Sequence, residues 1–222
     1  MRSNLSLSLL LAATLTLSAC SNKKVAPEAY SGFLRDYNAL TERQSPSGQT
    51  VLSWVRPGIR VDLYTQVYIE PSQFYPQPQP TERIPQTTLS DVTWYYDAAL
   101  KHELGKVMTV VTAPGPNTLI VRPAITRVAA STQSLRAYEW LPITLVAAGV
   151  STATGIRDQD SEIATEVAFL DGGTRTVVAE VVRKGTGVPL ENDTEVMTAA
   201  NVKAVLDGWA TDLRNSYVAI RK

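Results

Sequence analysis

The segment Glu162–Leu170, which reads EIATEVAFL, decides the fold of this chain of 222 residues. Apolar and β-branched side chains recur at every second position from Ile163 to Phe169, and smaller or acidic residues lie between them. This alternation is typical of a β-strand with one buried face. The turn sequence DGGT follows at 171–174, and residues 175–184 return with a second alternating run. The pattern predicts an antiparallel hairpin whose turn residues can adopt positive φ.

A helix is predicted upstream of this hairpin. Ser90 is the expected N-cap, and Leu89 and Trp94 form the expected hydrophobic staple across it. Gly105 is the expected C′ residue that ends the helix. The apolar residues at helical spacing are Val92, Tyr96, Ala99, Leu100 and Leu104. We interpret this stripe as a face directed at the core.

A second helix is predicted near the end of the chain. Asn192 and Glu195 resemble a capping box, which is a signal for a helix start. The apolar stripe that follows consists of Val202, Val205, Leu206, Trp209, Leu213 and Tyr217. Gly208 within it costs up to about 1 kcal/mol relative to alanine, which is small beside the burial of a tryptophan. This stripe too is interpreted as a core face.

Four further strands are predicted, at residues 51–55, 66–70, 107–111 and 118–128. Pro123 cannot donate to a ladder, so the last of them is expected at a sheet edge or with a bulge. Strands interrupted by two helices favour an α+β fold. We expect a mostly antiparallel sheet of about five to six strands, with two main helices packed on one face.

The N-terminus has the features of a lipoprotein signal peptide. A single Arg2 precedes an apolar stretch that is too short to span a membrane, which needs roughly 20 residues. Leu17, Ser18, Ala19 and Cys20 then match a lipobox, with cleavage between Ala19 and Cys20 and lipidation of the Cys20 thiol. The alternative is an ordinary signal peptide with a chance cysteine. The predicted organisation is signal peptide 1–19, lipidated tether 20–29 and a single α+β domain 30–222.

Lipidation would make the mature chain an anchored protein. Each buried acyl CH₂ contributes about 0.8 kcal/mol, and more than one chain gives stable anchoring. Residue 21 is serine; an aspartate there would indicate retention at the inner membrane. The predicted localisation is therefore the outer membrane, facing the periplasm, with the membrane itself as a partner through the acyl chains on Cys20.

The composition excludes several classes of function. Loss of Arg2 from the 21 basic residues leaves 20 against 21 acidic ones, and a nearly neutral domain argues against nucleic-acid binding. One cysteine and one histidine cannot by themselves form a zinc site or an iron–sulfur cluster. We expect neither a cofactor nor a metal.

Two segments are candidate partner or ligand contacts. Phe74 and Tyr75 lie in a proline-rich stretch, residues 71–80, and exposed aromatic residues are common interface hot spots. The alternative is a stiff loop whose two rings pack on the core. The apolar segment 140–150 contributes Trp140, Leu141 and Ile143, as a lid over an apolar cavity or as a buried crossover between strands.

No catalytic residue is predicted, and we expect the protein not to be an enzyme. His102 is the only histidine and is interpreted as a surface or half-buried helix residue, because adjacent Glu103 projects about 100° away. Asp158, Asp160 and Glu162 alternate like part of a calcium loop, but the remaining ligands of an EF-hand are missing. A solvated acidic loop is the preferred interpretation.

Several of these segments, taken in order, resemble the bacterial lipoprotein family known as domain of unknown function 3313. The segments are Ser31–Tyr37 (SGFLRDY), Ile69–Pro71 (IEP), Leu119–Thr126 (LIVRPAIT) and the hairpin 166–180. The resemblance covers nearly the whole mature chain and implies a periplasm-facing lipoprotein. It implies no activity and no catalytic residues.

Three hypotheses for function remain. The first is a non-enzymatic lipoprotein that binds an envelope protein or joins an envelope assembly. The second is a binder or carrier of a small apolar or lipidic ligand. The third is an envelope hydrolase that uses carboxylates, for which the only motivation is the acidic segment 158–162.

Overall fold

The structure is a computed structural model and describes residues 27–132, 159–192 and 194–221. The signal peptide, the lipobox with Ala19 and Cys20, and most of the tether lie outside the described residues. So does the segment that contains Trp140, Leu141 and Ile143.

Eight strands and two α-helices are found in the described residues, with short 3₁₀ turns at Pro27–Ala29 and Val61–Leu63. In chain order they are β1 (Thr41–Gln44), β2 (Thr50–Val55), β3 (Gln66–Ile69), β4 (Gln73–Phe74), α1 (Gln86–Leu104), β5 (Thr109–Val110), β6 (Thr118–Thr132), β7 (Gln159–Asp171), β8 (Val177–Thr186) and α2 (Ala200–Arg221).

All eight strands belong to one mixed sheet in the order β1-β2-β8-β7-β6-β3-β5, and β4 pairs with β6 beyond the end of β3. The α+β class is confirmed, but the expectation of five to six mostly antiparallel strands is wrong. Strands β1, β2, β8, β7 and β6 pair antiparallel, whereas β3 and β4 run parallel to β6 and β5 runs parallel to β3.

The parallel part of the sheet follows from the position of α1. Parallel neighbours need a long crossover connection, and α1 lies in the chain between β3 and the strands β5 and β6 that run parallel to it. Strands β1 and β4 are not predicted, because neither shows apolar alternation in the sequence. All four residues of β1 (TERQ) are exposed, and β4 is two residues long.

Pro123 lies in the interior of the sheet, so its expected edge position is wrong. The carbonyls of Val121 and Ile125 accept hydrogen bonds from Glu70 and Tyr75, on the side of β3 and β4. Since backbone groups alternate along a strand, the nitrogen of Pro123 faces that same side. This nitrogen lies opposite the gap between the end of β3 and the start of β4, where no described strand offers an acceptor. The missing N–H of proline therefore costs the sheet no hydrogen bond. The alternative, a bulge at Pro123, is not found there either, because Pro123 pairs in register with Val167 and the register of β6 shifts only between Ile125 and Arg127.

The hairpin of β7 and β8 is present and antiparallel, as the alternation predicts. Its turn differs from the prediction, because the residue with positive φ is Arg175 (φ 60°) rather than a glycine. Gly172 is required for a different reason. A Cβ there would lie 2.5 Å from the carbonyl oxygen of Gly115 and 2.7 Å from that of Thr118.

Both helices begin at other residues than the sequence predicts. Helix α1 starts after Pro85, which adopts an extended conformation at the N-cap, and the staple is absent because the Trp94 side chain is 72% exposed. Gly105 at its end is right-handed (φ −62°), so it does not act as a left-handed C′ residue. Helix α2 starts only at Ala200, and the carboxylate of Glu195 accepts instead from the amide of Glu191.

The apolar stripes of both helices face the core, as predicted. The main cluster combines α1 residues such as Val92 and Leu100 with Leu206 and Trp209 of α2. These helix residues pack on one face of the sheet, to which the central strands contribute side chains such as Ile163. Full burial of such a side chain contributes about 1.5–3 kcal/mol, so this layer supplies most of the apolar burial.

The opposite face of the sheet is covered by an N-terminal segment, residues 29–40, which we call the strap. Leu34 of the strap is 5% exposed and forms a second cluster with Ile120, Ala168, Leu170 and Val182. No residue of α1 or α2 belongs to this second cluster. The described part of the domain therefore has three layers: helices, sheet and strap.

One buried ion pair joins the helix layer to the edge of the sheet. Asp212 of α2 is 2% exposed and accepts from Arg183 Nη1 on β8 at 3.0 Å. It also accepts from the amide and hydroxyl of Ser47, in the turn between β1 and β2, at 3.0 and 2.8 Å.

Asp212→Ala should lower the free energy of unfolding by about 3–5 kcal/mol, because it leaves the Arg183 guanidinium buried without its partner. Urea unfolding followed by circular dichroism measures the change. The matched control is Asp62→Ala, which breaks the exposed Arg60–Asp62 pair and should leave the midpoint nearly unchanged. Equal effects of the two substitutions would contradict this role of Asp212.

Candidate functional site

The strap is bound to the sheet through the carboxylate of Glu166 on β7. This side chain is 0% exposed. Its Oε1 accepts from the Ser31 amide at 3.0 Å, and its Oε2 accepts from the Ser31 hydroxyl at 2.8 Å and the Tyr37 hydroxyl at 2.6 Å. Hydrogen bonds to a charged group contribute about 1.5–3 kcal/mol each, so these three donors offset much of the cost of burying the carboxylate.

Tyr37 organises the strap around this carboxylate. Its hydroxyl oxygen also accepts from the amides of Gly32 and Leu34, at 2.9 and 3.1 Å. The loop can close because Gly32 adopts φ +86°, a conformation that costs glycine little. The ring of Tyr30 stacks on Tyr37 with centroids 4.4 Å apart. Burial, followed by the hydrogen bond to Glu166, raises the pKa of Tyr37 to about 12.

A second buried carboxylate, Glu180 on β8, lies under the same strap. It is 3% exposed, and its Oε1 accepts from the Arg35 amide at 3.3 Å. Burial raises the pKa of Glu180, and the negative charges of Asp36 and Glu166 act in the same direction. Neither buried acid could be recognised from the sequence, because an acidic residue at alternate strand positions usually faces solvent. The hydroxyl groups of the SGFLRDY motif are the only hint.

The structure separates the two aromatic candidates of the proline-rich stretch. Phe74 is 7% exposed and belongs to the core cluster below the helices. Tyr75 is 40% exposed on the strap side, where its ring lies 5.6 Å from that of Phe33 at 59°. Of the two, Tyr75 alone is available to a partner. The other candidates, Trp140, Leu141 and Ile143, lie outside the described residues.

Trp94 is a candidate that the sequence reasoning assigned to another role. It follows Val92, which is fully buried, by two residues, so it projects about 200° around α1 from the core face. At 72% exposure it is the most exposed large apolar side chain of the described residues. It therefore points away from the sheet, on the side opposite the strap.

The acidic segment is only partly described. Asp158 lies outside the described residues, whereas Glu162 on β7 lies between two cations, 3.3 Å from Arg127 Nε and 3.9 Å from Lys184 Nζ. Burial lowers the pKa of Lys184. The His102 side chain is 73% exposed on α1, as expected for a surface histidine.

Neither a metal-binding group nor a membrane-spanning helix is found in the described part of the chain. Among residues 27–132, 159–192 and 194–221, no three His, Cys, Asp or Glu side chains come together in a way that could hold an ion. The described helices are also not both long and apolar enough to cross a membrane.

A shallow depression of about 380 Å³ lies near the end of α2. It is lined by Val107, Tyr217, Val218 and Arg221. The Arg221 guanidinium lies 5.9 Å from the centre of the Tyr217 ring. The depression thus combines apolar walls with one cationic group.

Comparison with known proteins agrees with the resemblance found in the sequence. Residues 29–213, from the strap to α2, match the family described as protein of unknown function (DUF3313), and the chain belongs to this bacterial lipoprotein family. The uncharacterized lipoprotein YdcL of Escherichia coli strain K12 is 38% identical over 198 residues, which is 89% of each chain. The YdcL protein of Escherichia coli O157:H7 is related to the same extent.

Solved structures resemble the domain only distantly. The PelC dodecamer from Paraburkholderia phytofirmans has 10% identity and a TM-score of 0.41, over 74% of this chain and 96% of that one. Protein XCC0632 from Xanthomonas campestris has 14% identity and a TM-score of 0.42, over 81% of this chain and 93% of that one. Scores this low establish no common function.

Tyr37→Phe should loosen the strap, because it leaves the Gly32 and Leu34 amides without their acceptor and removes one of the two donors to Glu166 Oε2. We expect a loss of about 1.5–3 kcal/mol and faster hydrogen exchange confined to the strap. Tyr75→Phe is the control, since its hydroxyl belongs to a partly exposed ring. Unchanged exchange at Gly32 and Leu34 in the Tyr37→Phe protein would contradict this role.

Glu180→Gln should stabilise the protein at neutral pH. The pKa of Glu180 is raised in the folded state, so the wild type loses stability as pH rises from the unfolded carboxyl value of about 4.3 through the folded value. Glutamine cannot ionise, and its oxygen can still accept from Arg35. The variant should melt at a higher temperature at pH 7 and at the same temperature near pH 3.

Thermal melts of the two proteins over this pH range measure the difference. Glu82→Gln, at an exposed position, is the control and should show no such pH-dependent gain. A Glu180→Gln protein that is less stable than the wild type at pH 7 would show that the ionised carboxylate is favoured under the strap.

Proposed function

We propose that the protein is a lipoprotein anchored in the outer membrane through acyl chains on Cys20, and that it serves in the periplasm as a non-enzymatic module that binds an envelope protein. Membership in a lipoprotein family and the lipobox at Leu17–Cys20 support the anchor. Serine at position 21 supports the outer membrane as the destination.

One observation carries the binding role: the segment next to the anchor and the most exposed described tryptophan lie on opposite sides of the sheet. The strap covers one face of the sheet, and Trp94 projects from the helix layer that covers the other. An anchored domain would thus present Trp94 away from its attachment. Tryptophan is strongly enriched among interface hot spots, so we take it as the centre of the partner surface.

A photo-crosslinking amino acid at position 94 should give one discrete adduct in living cells, in the outer-membrane fraction. The same probe at Arg43, exposed on β1, is the control and should not give that adduct. Trp94→Ala should leave the melting temperature unchanged because the side chain is mostly exposed. In the Cys20→Ser background, the protein should leave the outer-membrane fraction and the adduct should weaken.

Equal crosslinking at positions 94 and 43 would contradict the partner surface. An outer-membrane fraction that retains the Cys20→Ser protein would contradict the anchor. The two readouts therefore test the two parts of the proposal separately.

A second candidate function, binding of a small amphipathic anion such as a fatty acid, is favoured by the depression near the end of α2. Its apolar walls and Arg221 suit an alkyl chain and a carboxylate respectively. Dodecanoate should bind the mature chain, and Val218→Asp should raise the Kd by about tenfold, equivalent to about 1.4 kcal/mol. Trp94→Ala is the control and should not change the Kd; equal affinity of the Val218→Asp protein would exclude this site.

A further inference from the structure

The strap fixes how far the domain can lie from its anchor. Ser31 is held on the sheet by both of its hydrogen bonds to Glu166, and only residues 21–30 separate it from Cys20. A polypeptide spans at most about 3.3–3.6 Å per residue, so this connection reaches at most about 40 Å whatever conformation it adopts. That reach is similar to the diameter of a domain of this size, whose radius of gyration is about 16 Å.

A partly exposed aromatic pair lies beside this attachment point. Phe33 is two residues from Ser31, and its ring contacts that of Tyr75 at 5.6 Å. Tyr75 is held in place from the other side, because its amide donates to the carbonyl of Ile125 on β6 at 3.0 Å. The pair thus bridges the strap and the sheet, and 40% of Tyr75 stays accessible.

The surroundings of the pair carry little net charge. The exposed strap residues Arg35 and Asp36 are neighbours of opposite sign. The mature chain as a whole is also nearly neutral, so its net charge gives no strong attraction to anionic lipid, and the basic residues Lys23 and Lys24 belong to the tether, outside the strap and the proline-rich stretch. Apolar and aromatic side chains near the anchor are therefore the best candidates for a contact that orients this face of the domain on the membrane.

We propose that Tyr75, supported by Phe33, contacts the headgroup layer of the membrane that holds the anchor. The inference rests on lipidation of Cys20 as proposed above, and it assigns a lipid surface as the partner of this aromatic pair. Tyrosine is enriched at membrane interfaces, where its ring lies at headgroup level and its hydroxyl stays hydrated. Because the anchor already confines the domain near the surface, a weak contact suffices to orient it.

Site-specific fluorescence in the lipidated full-length mature protein tests this contact. Cys20 is the only cysteine of the chain, and lipidation consumes its thiol, so Tyr75→Cys provides a unique labelling site. With an environment-sensitive dye in vesicles of phosphatidylethanolamine and phosphatidylglycerol, the emission at position 75 should shift to the blue. Lipids that carry a quencher near the headgroup should reduce it.

Trp94→Cys with the same dye is the matched control, and it should show neither the shift nor the quenching. Similar emission at positions 75 and 94 overturns the proposal, as does quenching at 94 alone. Flotation of the vesicles tests the anchor separately from the contact of Tyr75. Protein that floats without quenching at 75 retains its anchor and lacks the contact, whereas protein that does not float lacks both.

A second variant tests whether the Tyr75 ring makes the contact or is merely near the membrane. Gln77 is exposed two residues further along, so Gln77→Cys can carry the dye while the aromatic pair stays intact. Quenching at position 77 should fall when Tyr75→Ser is added to this protein. Unchanged quenching would overturn the role of the ring, and a circular dichroism melt confirms that each variant is folded.

Discussion

The carboxylate of Glu166 is buried in the middle of a β-sheet face, and the architecture on that side of the sheet depends on how its charge is satisfied. A carboxylate without partners in such a place would be strongly unfavourable. All three hydrogen bonds described for it come from the strap, from Ser31 and Tyr37. Glu166 is therefore tolerated on this face of the sheet only when the strap covers it. The strap in turn holds its tight loop because the Tyr37 hydroxyl donates to Glu166 and accepts from the Gly32 and Leu34 amides.

This dependence makes the N-terminal strap part of the folded domain. The apolar contact of Leu34 with Ile120 and Leu170 adds burial to the hydrogen bonds, so a pull on the N-terminus is resisted by two kinds of interaction. Helix α2 is attached to the sheet by a similar arrangement, in which Asp212 joins Arg183 and Ser47. In both layers a buried acid connects distant parts of the chain. Glu166 lies 129 residues from Tyr37 of the strap, and Asp212 lies 165 residues from Ser47.

The sequence predicts those parts of the fold that follow from local periodicity. The hairpin around 171–174 and the core faces of both helices are visible because alternation and helical spacing are properties of a single segment. The parallel pairing of β3 with β6 is not, because it depends on how α1 crosses the sheet. Likewise Glu166 reads as a solvent-facing residue until the strap, 129–135 residues away in the chain, is placed over it.

Phe74 and Tyr75 show why the candidate contacts could be predicted only as a group. A strand directs successive side chains to opposite faces, so two adjacent aromatic residues that enter a strand cannot share one environment. Pairing of β4 with Ala124 and Ile125 sends Phe74 into the helix-side core and leaves Tyr75 beside the strap. Core packing, one of the two interpretations of this stretch, therefore applies to Phe74, whereas Tyr75 has the exposure that the other interpretation requires. A two-residue strand within a proline-rich segment gives no local signal of that pairing, which is set by β6.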